Sequence, residues 1–169
     1  MSDVKKVLIL GLSNSGKTSI VLSLKRDVNL LSFGSLSPTK GVERNQFEDQ
    51  SNEYHIWDFG GQKVYRERYM KRLPEYLIGA HKIIFVIDVQ DEENLDVSLK
   101  YLEDIIDFLN EDDHSDLDLS VYLHKFDPGF QMENGDLSEV LNRIEKKIPR
   151  FSNHSIYKTC ILPIFRKMK

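Results

Sequence analysis

Residues 11–18 follow the pattern GxxxxGK[ST] and constrain the fold of this chain more than any other feature. The apolar run at residues 5–10 precedes them and predicts a buried strand, and residues 18–31, rich in Ile, Val and Leu, predict a helix. Glycines in such a turn let successive backbone amides point inward at a helix N-terminus, where they form an anion cradle. The pattern therefore predicts a phosphate-binding loop between the first strand and the first helix.

The rest of the chain alternates between strand and helix patterns. Further strands are predicted at residues 42–48, 53–59, 81–89, 119–123 and 155–162, the first two joined as a hairpin by a turn at residues 49–52. Apolar residues at helical spacing predict one helix from Leu95 to Leu109 and another from Leu137 to Ile148. We expect an α/β fold of three layers: a six-stranded, mostly parallel sheet with one antiparallel edge strand and helices on both faces. The seven residues 163–169 leave room for only a short terminal helix, or none.

A length of 169 residues is enough for one core and too little for two, so a single domain spanning residues 1–169 is expected. Apolar residues make up 40% and charged residues 30%, which argues against disorder. The net charge of −4 gives no bulk attraction to nucleic acid or to an anionic membrane. No run is long enough for a signal peptide or a membrane anchor. The single cysteine, Cys160, fits a reducing, cytoplasmic compartment.

The phosphate loop and a second motif, residues 57–62, together predict a metal-assisted phosphate site. Lys17 can reach the outer phosphates, and the Thr18 hydroxyl can bind Mg²⁺. Asp58 ends a strand expected beside the first one, so its carboxylate should face that metal. The Gly61 amide can approach a terminal phosphate, and Gln62 can orient an attacking water.

A third motif, residues 124–127, follows the strand at residues 119–123. A carboxylate there can accept both the N1–H and the 2-amino group of guanine, a pair of donors that adenine lacks. Asp127 is therefore predicted to select guanine, and the aliphatic stem of Lys125 to cover its ring.

These motifs resemble those of the Ras-superfamily small GTPases, and within them the Arf-like and Rag/Gtr branches. Both branches share the pattern of residues 57–62, and residues 37–43 resemble the first switch of Arf proteins. Ser13 and His124, which stands where most relatives have Asn, resemble Rag. Residues 157–161 resemble the last guanine-binding segment, in which the backbone amide of Cys160 would reach guanine O6. The resemblance covers about residues 4–162.

The resemblance implies a switch that binds GTP or GDP with Mg²⁺ and hydrolyses GTP. It implies catalytic roles for Lys17, Thr39 and Gln62, with Thr39 closing over the metal in the GTP state, and metal binding by Thr18, Thr39 and Asp58. The implied nucleotide contacts are Gly11, Ser13, Asn14, Ser15, Gly16, Lys17, Thr18, Ser19, Gly61, His124, Lys125, Asp127, Thr159 and Cys160. An activating protein, an exchange factor and effectors would bind residues 33–41 and 60–72, and the resemblance to Rag leaves open pairing with a second GTPase.

Residues 27–38, ahead of Thr39, contain no arginine that could assist catalysis, so hydrolysis without a partner should be slow. A solvated helix face is favoured over a partner-binding patch for Arg66, Arg68, Lys71 and Arg72. Two other functions remain open. One is a scaffold that binds guanine nucleotide without cleaving it, and the other, less favoured, is a phosphotransferase, which would need an arginine-rich lid.

Overall fold

A computed structural model describes residues 3–25, 30–49, 52–111, 114, 116–133, 135–148 and 153–161. Its strands are β1 (Asp3–Gly11), β2 (Val42–Asp49), β3 (Asn52–Phe59), β4 (Ala80–Asp88), β5 (Asp118–His124) and β6 (His154–Lys158). Its helices are α1 (Lys17–Ser23), α2 (Leu30–Gly34), α3 (Lys63–Lys71), α4 (Leu73–Leu77), α5 (Leu95–Glu111) and α6 (Leu137–Lys147), with a 3₁₀ turn at Glu92–Asn94. None of these helices is long and apolar enough to cross a membrane.

The six strands form one sheet in the order β2-β3-β1-β4-β5-β6. Only the β2–β3 pair is antiparallel, and β2 lies at the edge, so the predicted fold class is confirmed. The carboxyl ends of β1, β3 and β4 lie side by side, because Ile9 pairs with Asp58 on one side and with Ile84 on the other. In sheets of this kind, ligands bind at that edge.

Both faces of the central strands are buried, which explains their continuous apolar runs. Successive side chains alternate between faces, so Leu8 and Leu10 of β1 point to one side and Val7 and Ile9 to the other. The larger core lies on the first side. There the stripe of α5, including Leu102, Ile105, Ile106 and Leu109, is buried with Val140 and Ile144 of α6. The two predicted helical stripes are therefore confirmed.

The predicted helix at residues 18–31 is wrong in extent, because α1 ends at Ser23. Its last turn tightens into bonds between residues three apart, from Leu24 N–H to the Val21 carbonyl and from Lys25 N–H to the Leu22 carbonyl. Leu24 and Leu31, which extended the apolar pattern, are 51% and 83% exposed and do not join the core. Residues 26–29 lie outside the described part of the chain.

Several other boundaries differ from the prediction, most of them by one or two residues. The hairpin turn is shorter, since Asp49 pairs with Asn52 and only two residues separate the strands. The last strand ends at Lys158 rather than at residue 162, because Thr159 turns toward the loop after β5. Its N–H donates to the Leu123 carbonyl, and its own carbonyl accepts from Phe126 N–H. The predicted short terminal helix falls on residues 163–169, outside the described residues.

Candidate functional site

Residues 11–18 form a tight loop that carries the chain from β1 into α1. Gly16 caps the helix in the left-handed region, with φ of 94°, and Asn14 also has a positive φ of 61°. A Cβ at position 16 would overlap the imidazole ring of His124, so glycine is required for both conformation and space. Ser15 and Lys17 are buried at 1% and 5% exposure. The loop is therefore closely packed at these two side chains.

The ammonium group of Lys17 is folded over this loop. Its Nζ donates to the Leu12 carbonyl at 2.6 Å and lies 3.5 Å from Ser15 Oγ. Burial lowers the pKa of Lys17 to about 8, and the nearby Asp58 carboxylate opposes that effect. The side chain is thus still predominantly cationic at neutral pH.

Three oxygen-bearing side chains from different elements meet beside the loop. Thr18 Oγ1 donates to Asp58 Oδ2 at 2.6 Å, and Thr39 Oγ1 lies 3.0 Å from Thr18 Oγ1 and 3.3 Å from Asp58 Oδ2. Asp58 is 1% exposed, and its Oδ1 has no hydrogen-bond partner among the described residues. Burial raises the pKa of Asp58, against the hydrogen bond from Thr18. A buried carboxylate with an unpaired oxygen beside two hydroxyls fits a hard cation such as Mg²⁺.

The segments around Thr39 and Gly60 close on each other and on the loop. Gly60 N–H donates to the Gly41 carbonyl at 2.9 Å, and the Tyr69 hydroxyl donates to the same oxygen at 2.8 Å. A Cβ at Gly61 would overlap the peptide between Leu12 and Ser13, so this contact is possible only with glycine. Gln62 follows as the N-cap of α3 and is exposed.

The other end of the site is built by the turns after β5 and β6. His124 is 3% exposed, its Nδ1 lies 2.9 Å from Thr159 Oγ1, and its ring packs against Gly16. Burial lowers the pKa of His124, which favours the neutral ring. Lys125 has a positive φ of 60° and pairs with Asp88 Oδ2 at 2.6 Å.

A cavity of about 430 Å³ runs between the loop and the segment at residues 33–39. It is lined by Ser13, Asn14, Gly16, Lys17, Thr18, Ser19, Phe33, Leu36, Ser37, Pro38, Thr39, Gly61, Gln62 and Lys125. The lining combines polar atoms of the loop with the apolar side chains of Phe33, Leu36 and Pro38, as an amphipathic, phosphorylated ligand requires.

The model of the ADP-ribosylation factor family matches residues 2–163. The chain belongs to the ADP-ribosylation factor (Arf) family. It is a small GTPase of the Ras superfamily: a switch that binds GTP and GDP with Mg²⁺ and hydrolyses GTP.

Individual relatives agree with this assignment. ADP-ribosylation factor-like protein 3 of Saccharomyces cerevisiae is 30% identical over 145 residues, which cover 84% of this chain and 70% of that protein. ADP-ribosylation factor-like protein alp41 of Schizosaccharomyces pombe is 31% identical over 138 residues, covering 81% and 68%. The fold is similar to that of the Arl6 BBS3 small GTPase from Trypanosoma brucei, solved with the nucleotide analogue GppNp. That match has a TM-score of 0.70 at 20% identity and covers 93% of this chain and 87% of the other.

In this Arf-family chain, most of the predicted site residues lie together, but not all of them line the main cavity. Gly11 and Ser15 belong to the phosphate loop but do not line this cavity, and a Cβ on Gly11 would overlap the Val86 carbonyl. Asp58 lies within hydrogen-bond distance of Thr18 and Thr39 and does not line the cavity. His124 and Thr159 lie between the loop and β6. Asp127 lines a neighbouring cavity, and Cys160 is half-buried with a free thiol.

Two charged residues of the site were missed or misinterpreted from the sequence. Arg66 is not on a solvated face: its Nε donates to the Gly61 carbonyl at 3.0 Å, and its guanidinium lies 5.2 Å from the Tyr101 ring centre. Asp88, the partner of Lys125, was not identified. Its position at the end of β4 was the one available signal, since polar residues at strand ends gather at the ligand edge.

Proposed function

We propose that residues 11–19 hold the phosphates of the nucleotide, that Thr18, Thr39 and Asp58 hold its Mg²⁺, and that Asp127 reads the guanine base. The observation that carries the proposal is the meeting of two hydroxyls and a buried carboxylate within 3.3 Å, beside a glycine-rich loop and a cationic lysine. Oxygen ligands from three separate elements are brought to one point, which a purely structural role would not require.

The arrangement supports a GTP-like state of the switch. Thr39 lies at the metal-binding cluster, and Gly61 lies against the phosphate loop. In this state the Gly61 amide is available to a terminal phosphate, and Gln62, at the start of α3, is available to the water beyond it. Loss of that phosphate would remove the contacts that hold the segments of Thr39 and Gly61 closed.

Hydrolysis by this site would depend on positioning and on charge. Bound Mg²⁺ would supply positive charge to the phosphate oxygens. Lys17 would hold the outer phosphates by its ammonium group, and the loop amides would hold their remaining oxygens. Gln62 would orient the attacking water. Because residues 27–38 contain no arginine, we expect a partner to supply one.

Residues 33–41 and 60–72 are the proposed surface for an activating protein, an exchange factor and effectors. Leu36 and Val64 are 38% and 49% exposed, so these segments offer apolar surface to a partner as well as charge. Pairing with a second GTPase, which the resemblance to Rag leaves open, is tested by the molar mass in solution. The single cysteine supports a reducing compartment, and we propose the cytoplasm.

Nucleotide analysis of the purified chain tests the proposal. The protein is denatured, the released nucleotides are separated, and binding of GDP, XDP and ADP is measured for the wild type and for Asp127→Asn. We expect bound GDP or GTP, and a shift of preference from guanine toward xanthine in the variant, since an amide can donate to the xanthine C2 carbonyl. Retained ATP, or unchanged GDP affinity in Asp127→Asn, would contradict the proposed base site.

A further inference from the structure

The carboxylate of Asp127 is held by a side chain that lies 37 residues earlier in the sequence. Gln90 Nε2 donates to Asp127 Oδ2 at 2.7 Å and to the Lys125 carbonyl at 2.8 Å. Both hydrogens of the side-chain amide are therefore used, one on each acceptor. Gln90 connects the end of β4 with the loop that follows β5.

Gln90 is itself fixed at its own end. Its backbone N–H donates to Asp88 Oδ1 at 3.0 Å, while Asp88 Oδ2 accepts from Lys125 Nζ at 2.6 Å. The side chain of Asp88 is only 11% exposed. Asp88 thus anchors the backbone of Gln90 and the side chain of Lys125 at once.

The loop that Gln90 supports needs such support. Lys125 adopts a left-handed φ of 60°, which costs free energy for a residue other than glycine. Asp127 follows two residues later, and its carboxylate would otherwise rotate in the broad well of a terminal sp³–sp² torsion. The bonds from Gln90 restrain the Lys125 backbone and this torsion together.

We propose that Gln90 is a positioning residue that fixes the plane of the Asp127 carboxylate for recognition of guanine at two points. This inference rests on the proposed role of Asp127. Guanine presents N1–H and the 2-amino group side by side, so both carboxylate oxygens must lie in the plane of the base. An ionised carboxylate has about four acceptor sites, so the bond from Gln90 leaves room for both guanine donors.

The chemical consequence is discrimination between guanine and hypoxanthine, which keeps N1–H but lacks the 2-amino group. Loss of alignment removes the second hydrogen bond to guanine, whereas hypoxanthine never makes that bond. We therefore expect Gln90→Leu to weaken GDP binding by roughly tenfold and IDP binding by less than about threefold. A residue that served only to stabilise the fold would weaken both nucleotides equally.

The experiment measures equilibrium dissociation constants for GDP and IDP with the full chain in Mg²⁺. Gln131→Leu is the matched control, because Gln131 lines the same cavity as Gln90 and Asp127 and the substitution removes the same amide. Gln90→Glu is a second variant, of nearly equal size, that places a second carboxylate against Asp127. Repulsion between like charges should make its GDP affinity lower than that of Gln90→Leu.

The expected result is a lower preference for GDP over IDP in both Gln90 variants, with Gln131→Leu unchanged. An unchanged preference in Gln90→Leu, an equal loss for both nucleotides, or the same loss in Gln131→Leu would overturn the proposal. Asp127→Asn separates this failure from that of the proposed function. If Asp127→Asn weakens GDP and Gln90→Leu does not, only the role of Gln90 is wrong; if Asp127→Asn also has no effect, the base site itself is wrong.

Discussion

At the scale of single residues, Asp58 shows a conflict between stability and binding. It is buried, its Oδ1 has no hydrogen-bond partner in the described part of the chain, and burial raises its pKa. A raised folded-state pKa means that the folded chain binds the proton more tightly than the unfolded chain does. The ionised group therefore costs stability at neutral pH, and this cost falls as the pH drops through the folded pKa.

We predict that Asp58→Asn raises the melting temperature of the nucleotide-free protein in EDTA. The amide can still accept from Thr18 and carries no charge, and a gain of about 1 kcal/mol corresponds to roughly 2–4 °C for a chain of this size. The same variant should lose the slowing of GDP release by Mg²⁺. Thermal melts and GDP release rates with and without Mg²⁺ check both effects, and a variant that retains the Mg²⁺ effect would exclude Asp58 from the metal site.

The buried ammonium group of Lys17 should make GDP affinity depend on pH. Burial lowers its pKa to about 8, so the ammonium group loses its proton as the pH rises above that value. Bound phosphates favour the charged form, and GDP affinity in EDTA should therefore fall by about tenfold between pH 7 and pH 9. Titration calorimetry across that range measures the slope. A flat profile would show that Lys17 does not provide the charge that phosphates require.

Gln62 is exposed and makes no side-chain bond to the helix it caps, so its replacement should leave the fold intact. We predict that Gln62→Leu binds GTP normally and hydrolyses it on the order of ten- to a hundredfold more slowly, because the water is no longer oriented. Lys63→Ala, at the next and equally exposed position, is the control. Equal single-turnover rates in wild type and Gln62→Leu would remove Gln62 from the mechanism.

At the scale of elements, the closing of residues 60–62 on the phosphate loop depends on the absence of a side chain at Gly61. Trp57, the single tryptophan, lies on the same strand as Asp58, between Lys6 and Arg44, each 4.1 Å from its ring centre. Lys6 lies on β1 and Arg44 on β2, the two strands that flank β3. The fluorescence of Trp57 should therefore report the position of β3 relative to both of its neighbours.

We predict that Gly61→Ala still binds GDP but loses the change in Trp57 fluorescence on exchange for a GTP analogue. The added Cβ would overlap the peptide between Leu12 and Ser13 and keep the segment open. Gly34→Ala is the matched control, because a Cβ at Gly34 meets no atom of the described residues within 4 Å. A normal fluorescence change in Gly61→Ala would contradict the proposed closure.

Elements whose sequence pattern fits only one kind of secondary structure could be predicted. Continuous apolar runs indicate the buried strands, and apolar residues at helical spacing indicate α5. The sheet and the helix layer that covers it could therefore be predicted. The helix at residues 18–31 was overextended because Leu24 and Leu31 are apolar yet exposed. Exposure is set by tertiary packing, which a window of sequence does not contain.

Contacts between distant parts of the chain also limited what could be predicted of the site. The phosphate loop and Asp58 were predictable because each ends a strand in a recognisable motif. Gln90 was not, because its bonds reach Lys125 and Asp127, 35 and 37 residues away. Arg66 was misinterpreted because its position on α3 gave no sign of the Gly61 carbonyl five residues earlier.

At the scale of the whole molecule, the sheet brings the residues of the proposed site to one edge. The loop after β1, the end of β3, and the turns after β4, β5 and β6 all lie at one edge, although they span residues 11–160 of the sequence. His124 connects two of these regions directly, since its ring touches Gly16 and bonds to Thr159. His124 therefore joins the proposed phosphate site directly to the proposed base site.

Single-turnover hydrolysis of GTP by the purified chain tests most directly whether the protein is a hydrolytic switch. The protein is loaded with GTP in EDTA, and the fraction of GDP is followed after addition of Mg²⁺. We predict cleavage at about 10⁻⁴–10⁻³ s⁻¹, as for an unassisted small GTPase, with no cleavage when Mg²⁺ is withheld. GTP that stays bound and intact for many hours in Mg²⁺ would contradict a hydrolytic switch and would favour a scaffold that only binds the nucleotide.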